Sequence, residues 1–454
     1  MLLAIETFIF SSLSVLDNIS ASILRLALPS ILSNVTVPLL GLVDQAIVGH
    51  LGSASFIAAV AVGSMAFNVI YWLFGFLRMT ASGQTSQAFG RGSDADVMAI
   101  LERSLVLALL FAVSLLVLRG PLLDLALRLM GPSAVVADLT RVYYSLVILG
   151  LPAVFCQSVL SGWFVGMQDT RSPMVISIFQ VAANVTLSFV LVFGFGLSLR
   201  GVALGTLLSQ WLGLVLALLL WWHRYGRLLS FLSPLRSVLR GSEVRDSLRQ
   251  HADIFLRTLF LVAVNFSFTA IGARHGDIIL SANTLLLLFS TLFSYLSDGF
   301  AYAAEALSGR CRGAGDVATF RLLLRRLGVM GALLAFLVAL AYLLGGNLLL
   351  HLLTSEDSVL AACRPYLFWV WLLPLCGIGC FLLDGVFVGM TSSRAMLLSS
   401  ATAALVFVVT YLSLGAILHN HALWLAFLLF LVVRGLVLLF CLPRSIPSWF
   451  PRRP

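Results

Sequence analysis

The sequence predicts an all-α polytopic membrane protein of about twelve transmembrane helices, and three observations predict it. Of 454 residues, 60% are hydrophobic and only 10% charged. A soluble globular chain carries about 25% charged residues, so water is not the solvent most of this chain meets. Runs such as 57–77, 105–118 and 422–442 are almost free of charge and approach or reach the roughly 20 residues a helix needs to cross a bilayer. Alternating ten-residue apolar segments of the outer-membrane barrel kind are absent from the sequence. Helices are then the way to satisfy each backbone polar group in lipid.

Apolar windows between charged loops place the spans at 22–48, 54–77, 97–118, 136–165, 172–196, 201–223, 251–273, 278–306, 317–344, 361–390, 393–417 and 420–441. Several exceed the minimum length, which allows tilt. All basic charge is arginine, and it is uneven. One set of loops holds Arg78, Arg91, Arg103, Arg171, the stretches 224–249 and 310–326, Arg394 and 444–453. The alternate set holds Arg119, Arg128, Arg200, Arg274 and Arg364, with Arg141 at a helix end. The positive-inside rule puts the richer set in the cytoplasm, and an even number of spans then puts both termini there too. The expected location is a bacterial inner membrane, multi-pass.

The net charge of +9 follows from these loops and is no sign of nucleic acid. Residues 1–21 form an apolar lead-in without the positive flank of a signal peptide. The six cysteines make no CxxC pair and mostly fall in apolar runs, so they read as small core residues rather than disulfides or metal ligands. No metal site and no cofactor is expected.

The longest polar connection, 224–250, separates an amino-terminal lobe, 22–223, from a carboxy-terminal lobe, 251–441, which is followed by a tail, 442–454. Shifting the chain by 223 residues lays GWFVGMQDTR (162–171) on GVFVGMTSSR (385–394), with six identities. The same shift lays QAFGRG (87–92) on RCRGAG (310–315), matching Gly90 to Gly313 and Gly92 to Gly315. A period of six helices keeps orientation, so the repeat is parallel. Such repeats place a substrate route where the halves meet, which makes transport the first functional reading.

Asp44 stands in LLGLVDQAIVGH with no basic residue within a helical turn or two. An intramembrane acid is costly and marks a functional site by default. The bland alternative is a hydrated acid at the membrane boundary, or a cap. Pro29 and Pro38 lie in the same span, where proline removes a backbone hydrogen bond and permits a bend, either a static kink or a hinge. Asn184, Ser188, Thr206 and Gln157 bring further polar atoms into spans four to six and could line one cavity with Asp44, or act singly as interhelical glue.

The second half has Asp253 and Arg257, spaced to pair along one helix face. It also has Asp298, Glu305 and Asp384; Asp298 and Asp384 are candidate cavity residues, and pairing across helices is the plain reading for the group. His50, His351, His419 and His421 fall at outer loop ends. No P-loop, nucleophile elbow or zinc motif is present, which excludes an ATP-driven pump in one chain and offers no catalytic site.

The stretches LALPSILSNVTVPLLGLVDQAIVGHLGS (26–53), NVTLSFVLVFGFGLSLRGVALGT (184–206), SDGFAYAAEALSG (297–309) and LLDGVFVGM (382–390) resemble the multidrug and toxin extrusion (MATE) family, in its DNA-damage-inducible F branch. The resemblance implies a bilayer protein with two six-helix lobes around a central cavity, exporting organic cations or amphiphiles in exchange for H⁺ or Na⁺. It casts Asp44 as the coupling acid, Asn184 and Thr206 as its polar partners, and Pro29 as the bending proline. Many relatives carry a second acid four residues after the asparagine, where this chain has Ser188. One acid suffices for a proton, so H⁺ is the expected ion. A monomer is expected. A lipid-linked precursor flippase of the same superfamily, or a membrane receptor or enzyme without transport, are the competing readings.

Overall fold

The computed structural model describes residues 18–51, 53–232 and 242–450, and the backbone only of residues 37–40, 42, 242 and 243. Residues 1–17 of the lead-in, residues 233–241 of the connection, 451–454 of the tail and the ring of Pro38 lie outside the described residues. The helices are α1 (Asn18–Gly49), α2 (Ala54–Leu73), α3 (Phe76–Arg91), α4 (Asp94–Val117), α5 (Arg119–Met130), α6 (Ala134–Val147), α7 (Leu151–Gly166) and α8 (Arg171–Phe189). They continue with α9 (Ser198–Tyr225), α10 (Ser242–Ala273), α11 (Asp277–Ala314), α12 (Val317–Leu353), α13 (Asp357–Cys363), α14 (Leu367–Gly389), α15 (Ser393–Leu418) and α16 (Asn420–Trp449).

Among the described residues, 12 helical stretches are long and apolar enough to cross a membrane, as the apolar windows predict. Short breaks divide some of them, for instance between α2 and α3 at Phe74 and Gly75 and between α6 and α7 at the 3₁₀ turn Ile148–Gly150. Helix α5 is an addition. Its sequence RGPLLDLALRLM carries Arg119, Asp124 and Arg128, so no apolar window reveals it; Asp124 pairs with Arg141 at 2.9 Å.

The chain forms two compact units. One takes the chain up to Ile31 and from Arg249 onward; the other is Leu32–Leu248, so the boundary falls inside α1. The same local geometry recurs in both at the 223-residue shift. Helix α3 ends on Gly92 with φ 70°, and α11 ends on Gly315 with φ 72°. Each is followed by a side-chain cap: Ser93 accepts from Asp96 N, and Asp316 accepts from Thr319 N. Asp316 is thereby held below the usual carboxylate range, chiefly by the Thr319 hydroxyl and amide.

A Cβ added to Gly162 would stand 2.2 Å from the carbonyl oxygen of Arg78, and one on Gly385 2.2 Å from that of Ala301. The backbones of α7 and α3, and of α14 and α11, therefore touch where only glycine fits, as small-residue helix packing in lipid requires. The turns that follow α7 and α14 both carry a left-handed residue, Gln168 at φ 62° and Thr391 at φ 49°. In the unit containing Arg249 onward, Phe268, Phe289, Phe293, Phe407, Trp424 and Phe430 make the aromatic core.

Candidate functional site

Glycine sets the site in the unit Leu32–Leu248. On α9, Gly201 and Gly205 face α8 so closely that a Cβ would lie 3.0 Å from the backbone of Leu191 and 2.2 Å from Ser188 Oγ. This contact brings Asn184 of α8 and Thr206 of α9 together: Asn184 Nδ2 donates to Thr206 Oγ1 at 3.2 Å. Beyond Ser188 the helix widens into a π turn, Val190–Gly194, a distortion frequent at functional sites.

Asp44 of α1 is 4% exposed and meets this pair. Thr206 Oγ1 donates to Asp44 Oδ2 at 3.0 Å, and the Asn184 amide reaches the same carboxylate. Tyr143 of α6 completes the enclosure, its hydroxyl within hydrogen-bonding reach of Ser64 and Thr206 and in the field of Asp44. Gly63 on α2 makes room for it, since a Cβ there would be 2.6 Å from the tyrosine ring.

Thr206 has one hydroxyl hydrogen and two acceptors, Asp44 Oδ2 and Val202 O at 3.1 Å. With Asp44 ionised, the hydrogen points to the carboxylate. With Asp44 protonated, the acid can donate to Oγ1 and the hydroxyl turns to Val202 O, while Asn184 still donates to it. The cluster can therefore hold the acid in either charge state. Asp44 Oδ1, Asn184 Oδ1 and Ser188 Oγ are buried with no hydrogen-bond partner among the described residues.

The structure thus joins Asp44, Asn184 and Thr206, and places Ser188 one turn beyond Asn184 against α9. It sets Gln157 in a different contact: Gln157 Nε2 donates to Gln180 Oε1 at 2.7 Å. Tyr143 and Gln210, the latter bonded to the Tyr71 hydroxyl at 3.3 Å, escape a reading of single residues. The signal for Gln210 is present as a polar stripe on α9, Thr206, Ser209, Gln210 and Gly213, at i, i+3, i+4 and i+7.

In the other unit the expected Asp253–Arg257 pair is replaced. Arg257 of α10 and Arg434 of α16 both donate to Asp384 of α14, and all three are buried. Asp253 accepts instead from Ser393 Oγ at 2.7 Å. A buried guanidinium is driven to a buried carboxylate, here Asp384, whereas Asp253 is only half-buried. Asp384 is therefore an ion-paired residue, and half-buried Asp298 lies in the field of Arg434. Pro29 sits half-buried in the part of α1 that belongs to this unit. Gly299 of α11 admits that turn, a Cβ there falling 2.8 Å from Ala27 O and 2.3 Å from Ile31 Cγ1.

Twelve spans in two parallel repeats, with a buried acid in the first, define a multi-pass membrane transporter. A family model described as MatE matches residues 29–190 and 254–412, one match per repeat. DNA damage-inducible protein F of Escherichia coli (strain K12) is 37% identical over 414 residues, covering 91% of this chain and 90% of that protein. The probable multidrug resistance protein NorM of Deinococcus radiodurans is 28% identical over 326 residues, covering 71% of this chain and 69% of that one. A crystal structure of MATE in the bent conformation superposes with a TM-score of 0.84 at 19% identity, covering 95% of this chain and 96% of the other. The chain belongs to the MatE family, and is a transporter rather than an enzyme.

Proposed function

We propose that this protein is a secondary antiporter that exports cationic or amphiphilic small molecules in exchange for H⁺, with Asp44 as the coupling acid. The observation that carries this reading is a buried carboxylate whose partners, Thr206, Asn184 and Tyr143, are all uncharged. With no cation beside it among the described residues, the acid has a reason to exchange a proton during each cycle. The protein works as a monomer in a bacterial inner membrane with both termini on the arginine-rich side.

Three buried oxygens with no hydrogen-bond partner among the described residues, on Asp44, Asn184 and Ser188, favour Na⁺ as the second reading. A single charge among neutral oxygens favours the proton. In proteoliposomes, dye efflux should follow an imposed pH gradient and persist without sodium. Strict sodium dependence at fixed pH would refute the proton reading. The flippase alternative calls for a strongly cationic cavity, and the main intramembrane arginines, Arg257 and Arg434, both donate to Asp384.

Pro29 serves as a hinge in this scheme, because its missing backbone bond lets α1 bend at low cost. A ligand or proton shifts such an equilibrium only by its differential interaction with the two states. Pro29→Ala should cut transport at least tenfold at unchanged expression. Spin labels flanking Pro29 should report a pH-dependent distance in the parent that Asp44→Asn abolishes; a distance constant from about pH 6 to 8 in an active protein would make Pro29 a static kink.

A further inference from the structure

Helices α12, α14 and α16 enclose a groove of about 590 Å³ in the unit that contains them, within the range of about 300–1,000 Å³ that accommodates a small-molecule ligand. Glycine makes it. Gly328 and Gly379 line it at positions where a Cβ would meet nothing within 4 Å, so larger side chains would project into open space. Glycine inside a helix costs about 1 kcal/mol relative to alanine, and here that cost leaves a concavity rather than a backbone contact. The lining is otherwise apolar, and Leu375, Leu436 and Leu439 on it are 50%, 45% and 52% exposed. An exposed apolar groove in a membrane-spanning bundle faces hydrocarbon, and it offers no side chain to orient a cationic drug.

One end of the groove is charged. Arg321 precedes Leu324 by one turn, Arg325 follows it directly, and Arg444 lies two residues past Leu442; Leu324 and Leu442 both line the groove. All three arginines are exposed, and their long stems can reach along the helix to a headgroup. Span order brings them to the same end: α12 is the ninth candidate span and α16 the twelfth, so the start of one and the end of the other fall on the same side. An apolar slot that ends in a basic cluster fits an amphiphile with an anionic head and a hydrocarbon tail. Basic pockets between transmembrane helices bind anionic lipid headgroups by this chemistry.

We propose that this groove is a binding site for an anionic phospholipid, with one acyl chain between α12, α14 and α16 and the phosphate at Arg321, Arg325 and Arg444. The site belongs to the unit that does not contain Asp44 and does not rest on the proposed antiport.

The test uses the full-length chain in detergent with phosphatidylglycerol or phosphatidylcholine carrying a photoreactive acyl chain, followed by peptide mapping. Phosphatidylglycerol should label peptides of 375–386 and 432–442 in preference to phosphatidylcholine. Replacing the arginines with glutamine should cost about fivefold in that preference per arginine, the equivalent of about 1 kcal/mol each. These residues are exposed, so the variants should fold. Gly328→Phe with Gly379→Phe should abolish labelling by both lipids, with the melting temperature confirming a folded protein. Equal labelling by both lipids, labelling insensitive to the arginines, cross-links between two copies of the chain, or displacement of the lipid by an exported dye would each overturn the proposal.

Discussion

Asp44→Asn should reduce gradient-driven efflux to that of vesicles without protein while leaving folding intact. Asparagine has the same shape and can still accept from Thr206, so the polar cluster loses a titratable group but little packing. The parent hydrogen bond from Thr206 Oγ1 to Asp44 Oδ2 is 3.0 Å long, and the acid is buried. A neutral replacement is a permanent copy of one charge state, which allows binding but not a cycle between two states. Thr206→Val is the graded companion. It keeps the acid and removes one donor, worth about 1.5–3 kcal/mol when the acceptor is charged, so transport should fall about 10- to 100-fold rather than vanish. The measurement is initial efflux rate in proteoliposomes at matched protein content. Efflux near the parental rate in Asp44→Asn would remove Asp44 from the coupling role.

The contrast between Asp44 and Arg257 shows what sequence can carry about such a chain. Spans are legible because a bilayer demands long apolar windows, and α5 is not because Arg119, Asp124 and Arg128 interrupt its window. The repeat is legible because glycines at 162, 166, 385 and 389 are fixed by backbone contacts that admit no Cβ. Asp44 is conspicuous because a lone acid in an apolar stretch has few bland explanations. Tyr143 is silent because a buried tyrosine is ordinary until its hydroxyl is seen beside Ser64 and Thr206. Arg257 misleads because i,i+4 spacing advertises Asp253 as a partner. The stronger demand of a buried guanidinium is met from α14, more than a hundred residues away.

Asp384→Asn should destabilise the protein more than any other single carboxylate change in the membrane. Both Arg257 and Arg434 donate to Asp384, and both are buried. Losing its charge removes the ionised acceptor to which Arg257 and Arg434 both donate, and breaking a buried pair costs about 3–5 kcal/mol. For a chain of this size that corresponds to a fall of roughly 3–5 °C in melting temperature. Asp384→Asn combined with Arg257→Gln removes one charge of each sign and should recover most of that loss, because the remaining arginine no longer competes with a second one. A coupling role predicts the opposite pattern: Asp384→Asn would melt like the parent yet fail to transport, and the double change would rescue nothing. Thermal unfolding in detergent, read beside efflux for the same two variants, separates an ion-paired strut in this unit from a second titrating acid.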